Sequence, residues 1–134
     1  MWRDVVLANG CFDLFHYGHV LHLRSASKLG DILVVAVTSD RSVNKGPGRP
    51  VFKEQERAEM VRPYADKVII VDSSLEALKL INPDVFVKHA EYRGKIRKED
   101  QEYCDKRGIQ IVFTDDKKYS STDLLHHYDR LRQG

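Results

Sequence analysis

Five short runs of apolar, mostly β-branched residues, each followed by a longer amphipathic or polar stretch, constrain the fold of this chain more than any other feature. They are Val5–Ala8, Ile32–Val37, Val68–Val71, Val85–Val87 and Ile109–Phe113. None alternates polar with apolar residues, so each needs cover on both faces, which is the condition of a parallel strand with helices on either side. The stretches between them read as helices over about 18–29, 53–62, 95–107 and 121–132, with a short one marked by Leu75, Leu78 and Ile81 that Asn82-Pro83 stops. Gly30 reads as the C-cap of the first helix and Gly108 as the end of the fourth. The expectation is an α/β fold: a doubly wound, five-stranded parallel sheet with helices on both faces, in one domain over residues 1–134.

At 134 residues one domain fills the chain. With 42% hydrophobic and 31% charged residues it has the make-up of a soluble globule, which excludes wholesale disorder. Lys plus Arg is 22 and Asp plus Glu is 20, a net +2, so bulk charge argues for neither nucleic acid nor membrane as partner. Affinity for phosphate has to come from local placement. Cys11 and Cys104 are too few for a disulfide framework and read as reduced thiols of a cytoplasmic protein. No secretory signal is visible after Met1, and the longest apolar stretch, Ile32–Val37, is far too short to span a bilayer.

In open parallel sheets ligands bind at the carboxyl ends of the strands, where strand order reverses. The segment after the first strand, Asn9-Gly10-Cys11-Phe12-Asp13-Leu14-Phe15-His16-Tyr17-Gly18-His19, carries the strongest local signal. His16 and His19 are three apart at a helix start and share one face. Gly18 between them permits close approach to the backbone, and a helix N-terminus with free N–H groups suits a phosphate. Taken alone, two such histidines also fit unconnected residues or part of a metal site, but no Cys, Asp or Glu at ligand spacing completes a metal cluster.

Elsewhere the residues leave two readings open. Lys45 and Arg49 sit on a loop, Asn44–Pro50, rich in Gly, Pro and basic residues, and either fold onto a triphosphate or stay solvated. Arg57, on the next helix, reaches phosphate or pairs with a surface Glu. Ser121 and Thr122 cap the last helix or hold phosphates at its N-terminus. Asp13 and Asp40 orient ribose, acceptor or Mg²⁺, or cap turns, and Lys88 ends the fourth strand at the same edge of the sheet. The basic run Arg93, Lys95, Arg97 and Lys98 reads as a solvated helix face, His126-His127 as pointing two ways, and His22 as a continuation of the His19 face.

The stretch from Gly10 to His19 resembles the HxGH signature of the cytidylyltransferase-like nucleotidyltransferases, which follows the first strand of a Rossmann-like domain. Lys45-Gly46-Pro47-Gly48-Arg49-Pro50 with Gln55-Glu56-Arg57, then Pro83-Asp84-Val85-Phe86-Val87-Lys88 to Tyr92, then Tyr119-Ser120-Ser121-Thr122 resemble, in order and spacing, segments of the heptose-phosphate nucleotidyltransferases. The nearest resemblance is to the nucleotidyltransferase domains of bifunctional heptose-phosphate kinase/adenylyltransferases, and the next to the glycerol-3-phosphate cytidylyltransferases. Two departures stand out: His89-Ala90-Glu91 replaces a Gly-Gly-Asp, and Lys118 stands near the place of an arginine in the glycerol-phosphate enzymes.

The resemblance implies an enzyme that moves a nucleoside monophosphate from ATP or CTP to a phosphorylated sugar or polyol and releases pyrophosphate. It implies His16, His19 and Lys45 as catalytic residues. Gly10, Cys11, Phe12, Gly18, Arg57, Lys88, Ser120, Ser121 and Thr122 would bind nucleotide, and Asp13, Asp40 and Arg49 would bind the acceptor. Mg²⁺ would ride on the triphosphate, and the protein would be a homodimer. The alternatives are a glycerol-3-phosphate or other polyol-phosphate cytidylyltransferase, an inactive nucleotide-binding regulator, and an RNA-binding adaptor, the last disfavoured by near-zero net charge.

Overall fold

In the computed structural model, which describes residues 4–116, the apolar runs become strands β1 (Val5–Gly10), β2 (Ile32–Thr38), β3 (Lys67–Val71), β4 (Val85–His89) and β5 (Gln110–Thr114). All pair in parallel in the order β3-β2-β1-β4-β5, so the order reverses between β1 and β4. Helices α1 (Tyr17–Ser27) and α2 (Glu54–Val61) cover one face; α3 (Ser74–Ile81) and α4 (Lys98–Arg107) cover the other. The helix expected over 121–132 and the pair His126-His127 lie outside the described residues.

The expected burial follows from this layering. Val6, Ala8, Val35, Val37 and Val87 pack beneath α1 and α2, while Leu7, Val34, Ala36 and Phe86 pack beneath α3 and α4. Neighbouring residues of one strand thus serve two cores, which is why the runs show no polar alternation. Full burial of side chains such as Phe86 and Leu78 contributes about 1.5–3 kcal/mol each.

The amino-terminal edge of the sheet is closed by three aspartates that each precede a strand. Asp31 accepts from Asp4 N (2.9 Å), Asp84 from Val5 N (2.8 Å) and Asp66 from Leu33 N (2.8 Å). At the opposite edge β1 and β4 diverge. Their register ends at Ala8↔Val87, although β1 continues to Gly10 and β4 to His89. This splay opens a crevice at the switch point.

Two expectations need correction. Gly30 is not the C-cap of α1, which ends at Ser27 with Lys28 as cap. A Cβ on Gly30 would lie 2.7 Å from Val6 Cγ2 and 2.8 Å from Asp4 O, so the glycine answers the close approach of β1 and the residue before it. The basic run is not a helix face either. Gly94 adopts φ +74° and α4 starts only at Lys98, so Arg93, Lys95 and Arg97 precede the helix, and Lys95 and Arg97 border the crevice.

Candidate active site

The turn between β1 and α1 is built on two left-handed non-glycine residues, Phe12 (φ 55°) and Leu14 (φ 52°). Such conformations cost on the order of 1 kcal/mol or more each and persist only where the surroundings enforce them. Phe12 is buried, and its ring lies 3.0 Å from where a Cβ on Gly10 would sit, so Gly10 is needed for the turn to close.

His16 is the N-cap of α1. Its Nδ1 accepts from Gly18 N (3.0 Å), and His19 Nδ1 accepts from His16 N (3.1 Å), a reciprocal capping box made of two imidazoles. An Nδ1 that accepts carries no proton, so in each neutral ring the proton sits on Nε2. The rings stack with centroids 4.0 Å apart, and Phe15 stacks on the other side of His19 at 5.4 Å. Burial, then the charges of His16, Lys45 and His22, push the His19 imidazole down to about 4. Burial and Lys45 also lower His16. Both are neutral Nε2–H donors at pH 7, and Lys45 lies near enough for its charge to reach both. The expected free amides of the helix start are already engaged: Gly18 N–H donates to His16 Nδ1, and His19 N–H to His16 O at 3.0 Å. These bonds leave the imidazole Nε2–H groups, rather than these amides, as donors at the turn.

Four residues expected to meet ligand form framework bonds instead. Arg57 is fully buried and does not reach a phosphate site: Nε donates to Phe52 O (2.9 Å), Nη1 to Cys11 O (2.9 Å) and Thr38 O (2.6 Å), and Nη2 to Asp40 Oδ1 (2.7 Å). Asp40 Oδ1 also accepts from Glu54 N, so it joins the end of β2 to the start of α2. Asp13, 4% exposed, accepts from Val51 N (2.8 Å), Phe52 N (3.0 Å) and Arg49 Nε (2.8 Å), and thereby fastens the far end of the glycine-rich loop. Arg49 is therefore held in an ion pair and not spread toward a triphosphate.

Burial pushes the Asp13 carboxyl up, but the two backbone N–H groups and Arg49 outweigh it and hold it at about 2. Its stabilisation is complete above the ordinary carboxylate value and is lost as pH falls toward 2. Asp13→Asn is expected to cost about 2 kcal/mol at pH 7. Urea denaturation across the pH range should show the gap from wild type closing between pH 4 and pH 2.

Gly10, Cys11 and Lys88 border the crevice as expected, but on the α3/α4 face of the sheet. This cleft, about 240 Å³, is also lined by Asn9, Ser74, Tyr92, Lys95, Arg97 and Asp100. Sequence reasoning assigned none of these to the site and read Lys95 and Arg97 as a solvated helix face. Asn9 is the first polar residue after the β1 run, and Asp72-Ser73-Ser74 follow β3 directly, so the strand-end rule pointed to them. His22 turns away to Thr114 Oγ1 (2.8 Å). His89 accepts from Glu91 N through Nδ1 (3.2 Å), and its Nε2 donates to Asp116 O (2.7 Å), so it ties the end of β4 to the segment after β5. Ser120, Ser121 and Thr122 lie outside the described residues. Among the described residues no three His, Cys, Asp or Glu side chains converge as a metal cage, and no helix is long and apolar enough to cross a membrane.

Comparison with known proteins supplies the remaining observation. A family model described as cytidylyltransferase-like matches residues 7–126. The bifunctional protein HldE of Campylobacter fetus is 46% identical over 99 residues, which cover 69% of this chain and 22% of that protein. HldE of Gluconobacter oxydans is 47% identical over 94 residues, 66% of this chain and 20% of that protein. The chain thus spans about a fifth of the length of these curated relatives. A lipopolysaccharide core biosynthesis protein from Thermoplasma volcanium superposes with TM-score 0.71 at 28% identity, over 89% of this chain and 100% of that one. A protein of unknown function from Archaeoglobus fulgidus shares the fold, with TM-score 0.63 at 24% identity over 87% of this chain and 95% of that one.

Proposed function

The chain belongs to the cytidylyltransferase-like family, and from that premise we propose that it transfers a nucleoside monophosphate from a nucleoside triphosphate to a heptose-like sugar phosphate. The observation that carries this reading is the pair of stacked imidazoles, each with Nδ1 occupied by a backbone N–H and Nε2–H left to donate. The similarity to HldE proteins and to a lipopolysaccharide core biosynthesis protein favours a saccharide acceptor.

A phosphate oxygen of the acceptor attacks the α-phosphorus in line; the bond from that phosphorus to the bridging oxygen breaks, and its electron pair leaves with pyrophosphate. His16 and His19 donate to the α- and β-phosphate oxygens as negative charge builds there. Lys45 adds positive charge beside them, and the resemblance assigns the terminal phosphates to Ser120, Ser121 and Thr122. No proton has to move to or from the imidazoles, which suits rings held neutral. Asp13 and Asp40 are committed to framework bonds, so Mg²⁺ fits best as an ion carried by the triphosphate, where it neutralises charge. A homodimer goes with this reading, and sedimentation velocity checks it.

The test is pyrophosphate release with ATP, CTP, GTP and UTP, each against sugar phosphates and glycerol 3-phosphate. Turnover of one triphosphate with a sugar phosphate is expected. Fastest transfer to glycerol 3-phosphate would replace the acceptor class, and nucleotide binding without turnover across the panel would overturn the reading in favour of a regulator.

A further inference from the structure

His19 packs on Phe12 and Phe15, which belong to the core under α1 and α2, while the cleft is lined by Ser74 and Asp100 of α3 and α4; Gly10 and Cys11, at the end of β1, border the cleft and lead into the histidine turn. At the cleft Asp100 is 3% exposed. Its Oδ2 accepts from Ser74 Oγ at 2.5 Å, whereas its Oδ1, equally buried, has no hydrogen-bond partner. Buried carboxylate oxygens without partners are uncommon, because the lost hydration is not replaced. An ionised carboxylate is acceptor-only, so what satisfies Oδ1 must be a donor.

The neighbouring cations do not fill that role. The Lys88 ammonium lies over the Tyr92 ring, 4.4 Å from its centroid, and makes no hydrogen bond to Asp100. Tyr92, the aromatic residue of the cleft, thereby has one face of its ring taken by a cation. Apart from Ile96, the rest of the lining is mostly polar or charged, with Asn9, Ser74, Lys95 and Arg97 among it. Such a lining, with cations to receive a phosphate and a carboxylate to receive hydroxyls, matches a polyhydroxylated phosphate better than a flat heterocycle.

We infer that Asp100, steadied by Ser74, determines acceptor specificity by accepting a hydrogen bond from a sugar hydroxyl, so that the acceptor is a polyhydroxylated phosphate rather than a simple phosphate monoester. This rests on the nucleotidyl-transfer reading above. The cleft then receives the acceptor from the α3/α4 face, and the triphosphate lies along the histidines, with the backbone of Gly10 and Cys11 between them.

The experiment compares hexose and heptose 1-phosphates with ethyl phosphate, which keeps the phosphate and lacks the hydroxyls. Asp100→Ala should lower kcat/KM for the best sugar phosphate about tenfold, with ethyl phosphate and the KM for triphosphate within about twofold. Asp100→Asn, whose amide oxygen still accepts, should recover most of the loss. Ser74→Ala, which keeps the carboxylate and serves where Asp100→Ala does not fold, should lower the same ratio about threefold. Equal losses on both acceptors, or undiminished discrimination, would overturn the assignment of Asp100 while leaving transfer itself intact. No transfer by wild type to any acceptor from any triphosphate would instead defeat the nucleotidyl-transfer reading.

Discussion

His16→Asn and His19→Gln are each expected to slow pyrophosphate release by about 10²–10³-fold at saturating substrates, with a melting temperature close to wild type. The choice of replacements follows from the cap. His16 holds Gly18 N through a side-chain acceptor, and asparagine is among the best residues for that position. His19 reaches back to His16 N from the third helical residue, a position at which glutamine completes a capping box. These substitutions keep the local structure and remove the Nε2–H. His16→Ala removes both and should add a stability loss of about 1 kcal/mol. Because the proposed mechanism sets both rings on one triphosphate, the double variant should lose less than the product of the single losses. Initial rates and thermal melts on the same samples decide the matter. Near-normal turnover in either variant would remove the histidines from the mechanism.

Much of this was legible beforehand because it depends on local pattern. Apolar neighbours such as Leu7, under α3 and α4, and Ala8, under α1 and α2, make β1 apolar on both faces, so the parallel sheet and the strand-end location of the site could be read directly. What escaped depends on contacts between distant residues. Gly30 sits where a helix-ending glycine is expected, and only the approach of Val6 and Asp4 shows its other purpose. Asp100 and Lys95 belong to a charged stretch that looks solvated until Gly94 turns the chain and α3 brings Ser74 against it. The capping role of His16 was hidden because histidine is not a usual cap residue. Its spacing from His19 was visible; the tautomers that follow from the backbone bonds were not.

Arg57 carries the second large effect, and it falls on stability. Arg57→Lys is expected to destabilise the protein by about 3 kcal/mol or more. At a few degrees per kcal/mol for a chain of this size, the melting temperature should fall by roughly 10 °C. The guanidinium joins three segments at the site edge: the turn after β1 through Cys11 O, the end of β2 through Thr38 O and Asp40, and the entrance of α2 through Phe52 O. A lysine ammonium has three donors and no planar fork, so it cannot meet four acceptors set around a plane. At least one buried carbonyl would then lack a partner. A phosphate-binding arginine would show the reverse pattern, with triphosphate affinity lost and the melt unchanged. Urea unfolding beside nucleotide titration below the transition distinguishes the two. The expected result is a lower midpoint with triphosphate affinity within a few-fold of wild type. An unchanged midpoint with affinity lost would place Arg57 back among the phosphate ligands. The same fork that grips a phosphate can grip backbone carbonyls, so a Gln-Glu-Arg sequence cannot choose between them, and the complete burial of Arg57 does.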